Sequence, residues 1–150
     1  YNGNIGVSSD HDRGIFSNKT ISVAQHSVMV AESLLLCYGD PVIAMQGLLH
    51  DSPEAYFGDV IRPIKIMIKE VISVIEDGIE AQIFKHFGLP EKLDPRVKEV
   101  DVNICQYEIS ALIGGTGHES EYWSPKVSAE RFMMMYNRIE KLIEYRLIKS

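Results

Sequence analysis

Apolar residues recur at helical spacing along most of the chain after residue 20. Ser, Asp and Pro favour helix starts and Gly favours helix ends, because these residues satisfy or interrupt the terminal backbone hydrogen bonds. No segment is convincing as a strand, so the sequence predicts an all-α protein. The predicted helices run from Ser22 to Gly39, from Pro41 to about Leu49 or His50, from Pro63 to Gly88 (the longest), from Pro95 to about Ile113, and from a cap at Ser128 to about Ile148.

The remaining segments read as loops. Residues 1–20 are rich in Gly, Asn, Ser and Asp without a helical period, which predicts a long loop. Ser52-Pro53-Glu54 opens a short turn that Gly58 ends, and residues 114–126 form a further loop. No repeat or linker divides the chain, so we expect one compact helical domain over residues 1–150, with about five to seven helices. The third helix has an apolar face formed by Ile64, Ile68, Val71, Ile72, Ile75, Ile79 and Ile83.

Composition narrows the classes of protein. The chain has 150 residues, 45% of them hydrophobic, and a net charge of −6, which disfavours a nucleic-acid polymer as a partner. No apolar run approaches the length of about 20 residues that a membrane-spanning helix needs. The two cysteines, Cys37 and Cys105, are far apart and have apolar neighbours, which favours buried thiols in a reducing, cytoplasmic compartment.

Four ionisable residues interrupt segments that are otherwise expected to pack. His26 lies in the first predicted helix, the pair His50-Asp51 ends the second, and Asp101 lies in the helix that begins at Pro95. Taken alone, a helical histidine is more often a core residue with a satisfied hydrogen bond, and a lone aspartate a turn or cap residue. The adjacent pair His50-Asp51 favours a metal-binding role over these structural roles, since both groups are costly to bury without partners. Two imidazoles and two carboxylates on separate helices favour a divalent metal site.

The pattern His26…His50-Asp51…Asp101 resembles the HD-domain phosphohydrolases, which are all-α metalloenzymes that hydrolyse phosphate esters. The string from residue 48 to 59, LLHDSPEAYFGD, is similar to the branch of 5′-deoxynucleotidases and phage deoxynucleotide phosphohydrolases. Arg62-Pro63-Ile64-Lys65 and Val97-Lys98-Glu99-Val100-Asp101 also match that branch.

The resemblance implies that His26, His50, Asp51 and Asp101 ligate the metal. It implies that Glu54 activates or orients water, and that Asp59 lies near the nucleophile or the leaving group. Glu54 follows Asp51 by three residues, so one turn of helix could return its carboxylate towards the metal. The alternatives are a first-turn acid that stabilises a helix N-terminus for Glu54, and a turn residue for Asp59.

Several positions are candidates for substrate binding. By the resemblance, Lys65 and Lys98 contact phosphates, although most lysines are simply solvated. Lys98 precedes Asp101 by three residues and so shares its side of the helix. The other candidates are Arg62 and Lys69, which share a face with Lys65, Asn2 and Gly3 by resemblance to a nucleoside-pocket segment, and Trp123, which could stack on a base or anchor a loop.

The function that these features imply is hydrolysis of dATP, and of dADP or dAMP, to deoxyadenosine and phosphate products. The alternatives are a 5′-deoxynucleotidase acting on dNMPs and a catalytically inactive nucleotide-binding HD module. We expect one divalent transition metal (Mn, Co, Zn or Fe), with Mg on the substrate phosphates. We also expect a small deoxynucleotide ligand, no nucleic-acid polymer or membrane partner, and a homo-oligomer, either a dimer or a hexamer.

Two related activities are disfavoured. A guanosine-tetraphosphate hydrolase typically has a Glu-Asp pair where Glu54-Ala55 stands. A two-metal HD phosphodiesterase needs further histidines between the second and last ligands, and only His86 occurs there.

Overall fold

The computed structural model describes residues 21–54, 68–114 and 122–149, apart from the side chains of residues 69, 70 and 111–114. This part of the chain contains five helices and no strand, which confirms the all-α prediction. The helices are α1 (Val23–Tyr38), α2 (Pro41–Leu49), α3 (Lys69–His86), α4 (Pro95–Gly114) and α5 (Pro125–Lys149). The predicted loop over residues 1–20 and the end of the short turn at Gly58 lie outside the described residues.

The predicted ends of α1 and the start of α2 are confirmed in detail. The Ser22 side chain accepts a hydrogen bond from the backbone N–H of Gln25, which satisfies one terminal donor of α1. Gly39 adopts a left-handed conformation with φ of 61° and donates its N–H to the carbonyl of Leu35. Asp40 then caps α2 by accepting from Val42 N at 3.1 Å.

The predicted start of the last helix is wrong. Helix α5 begins at Pro125, and Ser124 caps it by accepting a hydrogen bond from Val127 N at 3.3 Å. Ser128 is instead buried inside the helix, where its hydroxyl accepts from Ser22 Oγ at 2.9 Å. The Ser-Pro pair is the same start signal that the Asp-Pro pairs give for α2 and α4. With 25 residues, α5 is also the longest of the described helices.

The core lies between α1 and α2, and α4 and α5 close over it. Helix α1 packs on α2, α4 and α5, and α2 packs on all the other four helices. Eight of the nine residues of α2 are buried, which makes it the central element. The largest fully buried apolar side chains are Phe84, Leu34, Leu48, Ile139, Val30 and Val97.

Two buried glutamines join the loops to this core. Gln46 of α2 donates to the carbonyls of Pro90 and Lys92 and accepts from Asp94 N, which fixes the segment before α4. Gln25 of α1 accepts from Trp123 N at 3.0 Å, which fixes the segment before α5. Each bond satisfies a polar group that would be costly to bury alone.

Two further predictions concern the cysteines and the membrane. Cys37 is exposed, so the prediction of a buried thiol is wrong there, whereas Cys105 is half-buried; both are free thiols. Among the five described helices, none is long and apolar enough to cross a membrane.

Candidate metal centre

Three helical segments bring His26, His50 and Asp101 together in the interior. His26 lies in the first half of α1, His50 follows the last residue of α2, and Asp101 lies in the second turn of α4. One ligand atom from each residue lies within 4.8 Å of the other two. The exposed fractions of the three residues are 1%, 8% and 7%, so the group is enclosed by the packed helices.

The carboxylate oxygens face the Nε2 atoms of both histidines. Asp101 Oδ1 lies 3.2 Å from His26 Nε2 and 3.8 Å from His50 Nε2. Asp51 is also close to both rings, with Oδ1 at 3.2 Å from His50 Nε2 and Oδ2 at 3.8 Å from His26 Nε2. His26, His50 and Asp101 therefore form one group of potential ligands, and Asp51, the fourth residue that the sequence predicts, lies against both histidines.

His50 carries the clearest indication that a cation belongs here. Its Nδ1 donates to the carbonyl of Gly47 at 2.8 Å, which leaves Nε2 with a lone pair in the neutral ring. Nε2 is buried and has no hydrogen-bond partner within the described residues, and it faces the oxygens of Asp51 and Asp101. A lone pair held against carboxylates requires a cation between them, either a proton or a metal ion. Imidazole and carboxylate ligands suit a divalent transition metal, so these residues fit one.

The pKa values of the group show how strongly it attracts positive charge. Burial lowers the pKa of His26, but hydrogen bonds to Asp101 and Glu108 outweigh burial and raise it to about 10. Burial likewise lowers the pKa of His50, and the carboxylates of Asp101 and Asp51 reverse this and raise it. Burial raises the pKa of Asp101, yet His26, His50 and Lys98 hold it well below its usual range. The carboxylates around the two histidines therefore favour a bound positive charge at this position.

Sequence reasoning missed two residues of α4 that adjoin the centre. Glu108 is buried and its Oε1 lies 3.0 Å from His26 Nδ1. Cys105 Sγ lies 3.4 Å from Asp101 Oδ1, and burial together with Asp101 raises the pKa of this thiol to about 12. Both residues follow Asp101 at positions i+4 and i+7, so helical spacing alone could have placed them on its face.

Glu80 of α3 is a third residue that the sequence did not indicate. Burial raises its pKa to about 7, and the charge of Asp77 adds to this effect, whereas His50 and Lys98 oppose it. This coupling to His50 connects Glu80 electrostatically to the centre. No periodicity or motif singles it out among the other acidic residues of α3.

A cavity of about 300 Å³ adjoins the cluster. Its walls are mostly apolar, and Asp51 belongs both to the cavity and to the cluster. Glu54 also lines it and donates its backbone N–H to the carbonyl of Asp51 at 3.0 Å. The described residues that line the cavity are Val23, Ala24, Ser27, Leu48, Asp51, Ser52, Glu54, Ala129, Phe132 and Met133.

The remaining predicted site residues divide into two groups. Lys98 reaches the centre, because its Nζ pairs with Asp101 Oδ2 while 67% of its side chain stays exposed. Trp123 packs against the core under the guanidinium of Arg131, 4.2 Å from the ring centroid, and does not appear in the cavity wall. The predicted residues Asp59, Arg62, Lys65, Asn2 and Gly3 lie outside the described residues.

Comparison with known proteins adds relatives without a described function. No known protein-family profile matches the chain. An 81-residue stretch is 37% identical to the uncharacterized protein RCAP_rcc00048 of Rhodobacter capsulatus, covering 51% of this chain and 40% of that protein. Another alignment of 81 residues is 32% identical to the uncharacterized protein YfdR of Escherichia coli, covering 54% of this chain and 42% of that protein. The matches therefore span less than half of each relative and establish distant homology to both.

Proposed function

We propose that this chain is a metal-dependent phosphohydrolase of small deoxynucleotides, with dATP as the foremost substrate. The observation that carries the proposal is the buried cluster, in which His50 Nε2 has no hydrogen-bond partner and faces the carboxylates of Asp51 and Asp101. The cluster adjoins a mostly apolar cavity through Asp51. A concave apolar site with a few convergent polar groups is the common form of a small-molecule site.

The four predicted ligands would hold the metal. His26, His50, Asp51 and Asp101 form a mixed N/O set that suits Mn, Co, Fe or Zn. When bound, such an ion polarises a phosphoryl oxygen and lowers the pKa of bound water. The enclosing helices hold the four side chains in place, since three of them are buried and hydrogen-bonded or packed.

Glu54 and Lys98 would perform the remaining chemistry. Glu54 lines the cavity three residues after Asp51, so its carboxylate can orient the attacking water and take its proton. The mostly exposed ammonium of Lys98 already pairs with Asp101 and would neutralise charge on a phosphate at the centre. This local positive charge is what allows an acidic protein to bind an anionic substrate.

The cavity supplies a place for the nucleoside. Phe132 offers an aromatic face, and Val23, Leu48 and Met133 offer aliphatic walls. A mostly apolar wall offers few hydrogen-bond partners to a ribose 2′-hydroxyl, which favours the deoxy sugar. Discrimination of this kind is at most about 100-fold, because apolar pockets reject an added hydroxyl only weakly.

The test is a panel of dNTPs, NTPs and dNMPs incubated with the EDTA-stripped protein and Mn²⁺ or Co²⁺, with the products identified. We expect phosphate or oligophosphate release from dATP, and its abolition by EDTA. Release from dNMPs alone would show the 5′-deoxynucleotidase. Nucleotide binding without turnover across the whole panel would contradict hydrolysis and favour the binding module.

Two variant pairs test the assigned roles. Glu54→Gln should keep the metal and lower kcat by about 10²–10⁴-fold, whereas Glu99→Gln on the exposed side of α4 should leave kcat unchanged. Ala129→Phe, which fills the cavity, should raise KM without changing metal affinity. Glu130→Phe adds the same ring outside the cavity and should change neither value. Full turnover in Glu54→Gln would contradict the role of Glu54.

A further inference from the structure

Both ring nitrogens of His26 face carboxylates from the same helix. Nε2 lies 3.2 Å from Asp101 Oδ1, and Nδ1 lies 3.0 Å from Glu108 Oε1. Asp101 and Glu108 are seven residues apart, which is two turns of α4, so one face of the helix clasps the ring on both edges. The ring and Glu108 are both buried, at 1% and 4% exposure.

His26 belongs to two different groups of potential metal ligands. One group is His26, His50 and Asp101, and the other is His26, Cys105 and Glu108. A neutral imidazole has a lone pair on only one nitrogen, because the other nitrogen carries a proton. Since the first group uses Nε2 and the second uses Nδ1, one neutral ring cannot serve both groups.

We infer that Glu108 is a positioning residue that selects between these groups: its carboxylate accepts the Nδ1–H of His26 and thereby directs the Nε2 lone pair to the centre that contains His50 and Asp101. This inference rests on the metal site of the proposed function, but not on hydrolysis. A carboxylate behind a ligating histidine fixes both the tautomer and the orientation of the ring.

The second histidine supports this assignment. His50 Nδ1 donates to the carbonyl of Gly47 at 2.8 Å, so His50 also has its Nδ1 anchored and its Nε2 turned to the centre. In the competing group, the thiol of Cys105 is within hydrogen-bond distance of Asp101 Oδ1, where it acts as a donor and not as a ligand. Glu108 and the Gly47 carbonyl thus have the same role, since each accepts the Nδ1–H of one histidine and leaves its Nε2 for the centre.

The experiment measures Zn²⁺ affinity, the His26 tautomer and thermal stability in the full chain. The variants are Glu108→Gln, whose amide oxygen can still accept the Nδ1–H, and Glu108→Leu, which removes the acceptor at similar size. Glu99→Gln and Glu99→Leu are the controls at an exposed position of the same helix. Zinc affinity is measured against a competing chelator, and the tautomer by ¹⁵N chemical shifts of the histidine rings.

We expect wild-type His26 in the zinc-bound protein to be protonated at Nδ1 and bound through Nε2. Glu108→Leu should bind Zn²⁺ about 10–100-fold more weakly, as is typical when the group behind a ligating histidine is lost. Glu108→Gln should recover most of the affinity, and the Glu99 variants should match the wild type. A role limited to folding would lower the Tm of the metal-free protein without this recovery by glutamine.

Distinct results separate failure of this inference from failure of the proposed function. Wild-type affinity in Glu108→Leu, zinc on Nδ1 of His26, or thiolate-to-metal absorption from Cys105 would overturn the role of Glu108. If Glu108→Leu does not fold, the wild-type tautomer and the affinity of Glu108→Gln decide by the same criteria. Absence of metal binding by the wild type would overturn the metal site and this inference together, whereas the expected zinc results without hydrolysis would overturn only the proposed activity.

Discussion

The pair α1–α2 is richer in apolar residues than helix α3, and the two regions differ even more in how far they bury their side chains. Eight of the nine residues of α2 are buried, and α1 buries seven, including His26. In α3, Phe84 is the one buried side chain among those described, and Val71 and Val74 are 65% and 72% exposed. Both histidines of the centre therefore come from the tightly packed pair, whereas α3 contributes the half-buried Glu80.

This difference explains why the candidate metal centre lies against α1 and α2 and not on α3. Side chains in a close-packed interior keep one arrangement, so ligands on α1 and α2 are held at fixed separations. A polar group buried between α1 and α2 needs a partner, so the unpartnered Nε2 of His50 indicates a bound cation. An exposed polar group on α3 is hydrated by solvent and therefore gives no evidence of a ligand.

The largest effect is expected from Asp101→Ala. The variant should lose metal binding, and its metal-free form should be less stable than the metal-free wild type by about 3–5 kcal/mol, because His26 and His50 then lose a buried ionic partner. Glu99→Ala, on the exposed side of the same helix, should change stability by less than about 0.5 kcal/mol. Urea unfolding in EDTA measures both, and equal stabilities would contradict the buried ionic network.

Gly47→Ala should destabilise the α1–α2 contact. A Cβ at this position would clash with Leu34 Cδ1 and lie 3.1 Å from Val30 Cγ1, and both of these side chains are fully buried. Because both side chains are enclosed by the core, we expect the clash to outweigh the better helix propensity of alanine and to cost about 1–3 kcal/mol. A midpoint of urea unfolding equal to or above that of the wild type would show that the contact is looser than described.

Glu80→Gln should change how stability depends on pH. Burial raises the folded-state pKa of Glu80 to about 7, above its value in the unfolded chain. Its contribution to the stability of the metal-free protein is therefore complete below about pH 4.5 and lost as the pH rises through about 7. At pH 8 the folded wild type must hold a charged Glu80 in a half-buried position, whereas glutamine is neutral there. The variant should therefore be more stable than the wild type by about 1 kcal/mol, since solvent screens part of the penalty on this partly exposed side chain.

The same measurement at pH 5 serves as the control for Glu80→Gln. There both side chains are neutral in the folded state, so the advantage of the variant should shrink. Glu99→Gln should show no comparable change between the two pH values, since Glu99 is exposed. An equal stability difference at pH 5 and pH 8 would mean that Glu80 does not titrate in this range.

The smallest effect is expected from Gly78→Ala, the counterpart of Gly47→Ala on α3. Gly78 is exposed, and a Cβ there would meet nothing within 4 Å. Alanine should therefore stabilise the protein by about 0.5–1 kcal/mol through helix propensity and reduced freedom of the unfolded chain. Opposite signs for the two glycine variants would confirm the contrast between the regions, and destabilisation by Gly78→Ala would show that α3 is more closely packed than described.

The sequence was sufficient for the helices whose ends carry strong chemical signals. Ser22, Gly39 and Asp40-Pro41 act at the predicted places, because caps and prolines operate through local backbone bonds. A cap at Ser128 is wrong because Ser124, the serine that directly precedes a proline, accepts the terminal backbone N–H instead. Local signals thus predict which helices form, but they leave the exact cap residue open where two candidate serines lie close together.

Packing between helices that are distant in sequence is harder to predict from the sequence. The apolar face of α3 follows from periodicity, but periodicity does not say whether another element covers that face, and Val71 and Ile75 are exposed. The set His26, His50, Asp51 and Asp101 is predicted both by its ionisable residue types in segments expected to pack and by the family resemblance. The contact of Glu108 with His26 and the raised pKa of Glu80 depend on how α3 and α4 pack around α1 and α2, which no local pattern encodes.

Metal titration of the EDTA-stripped protein tests the central claim most directly. Wild type, His50→Asn and His86→Asn are each titrated with Mn²⁺, Co²⁺ and Zn²⁺, with metal content measured after dialysis; His86 is the exposed histidine of α3 and serves as the control. We predict one bound ion per chain in the wild type and in His86→Asn, and none in His50→Asn at the same ion concentration. Equal binding by all three proteins, or no binding by the wild type, would contradict the buried metal centre.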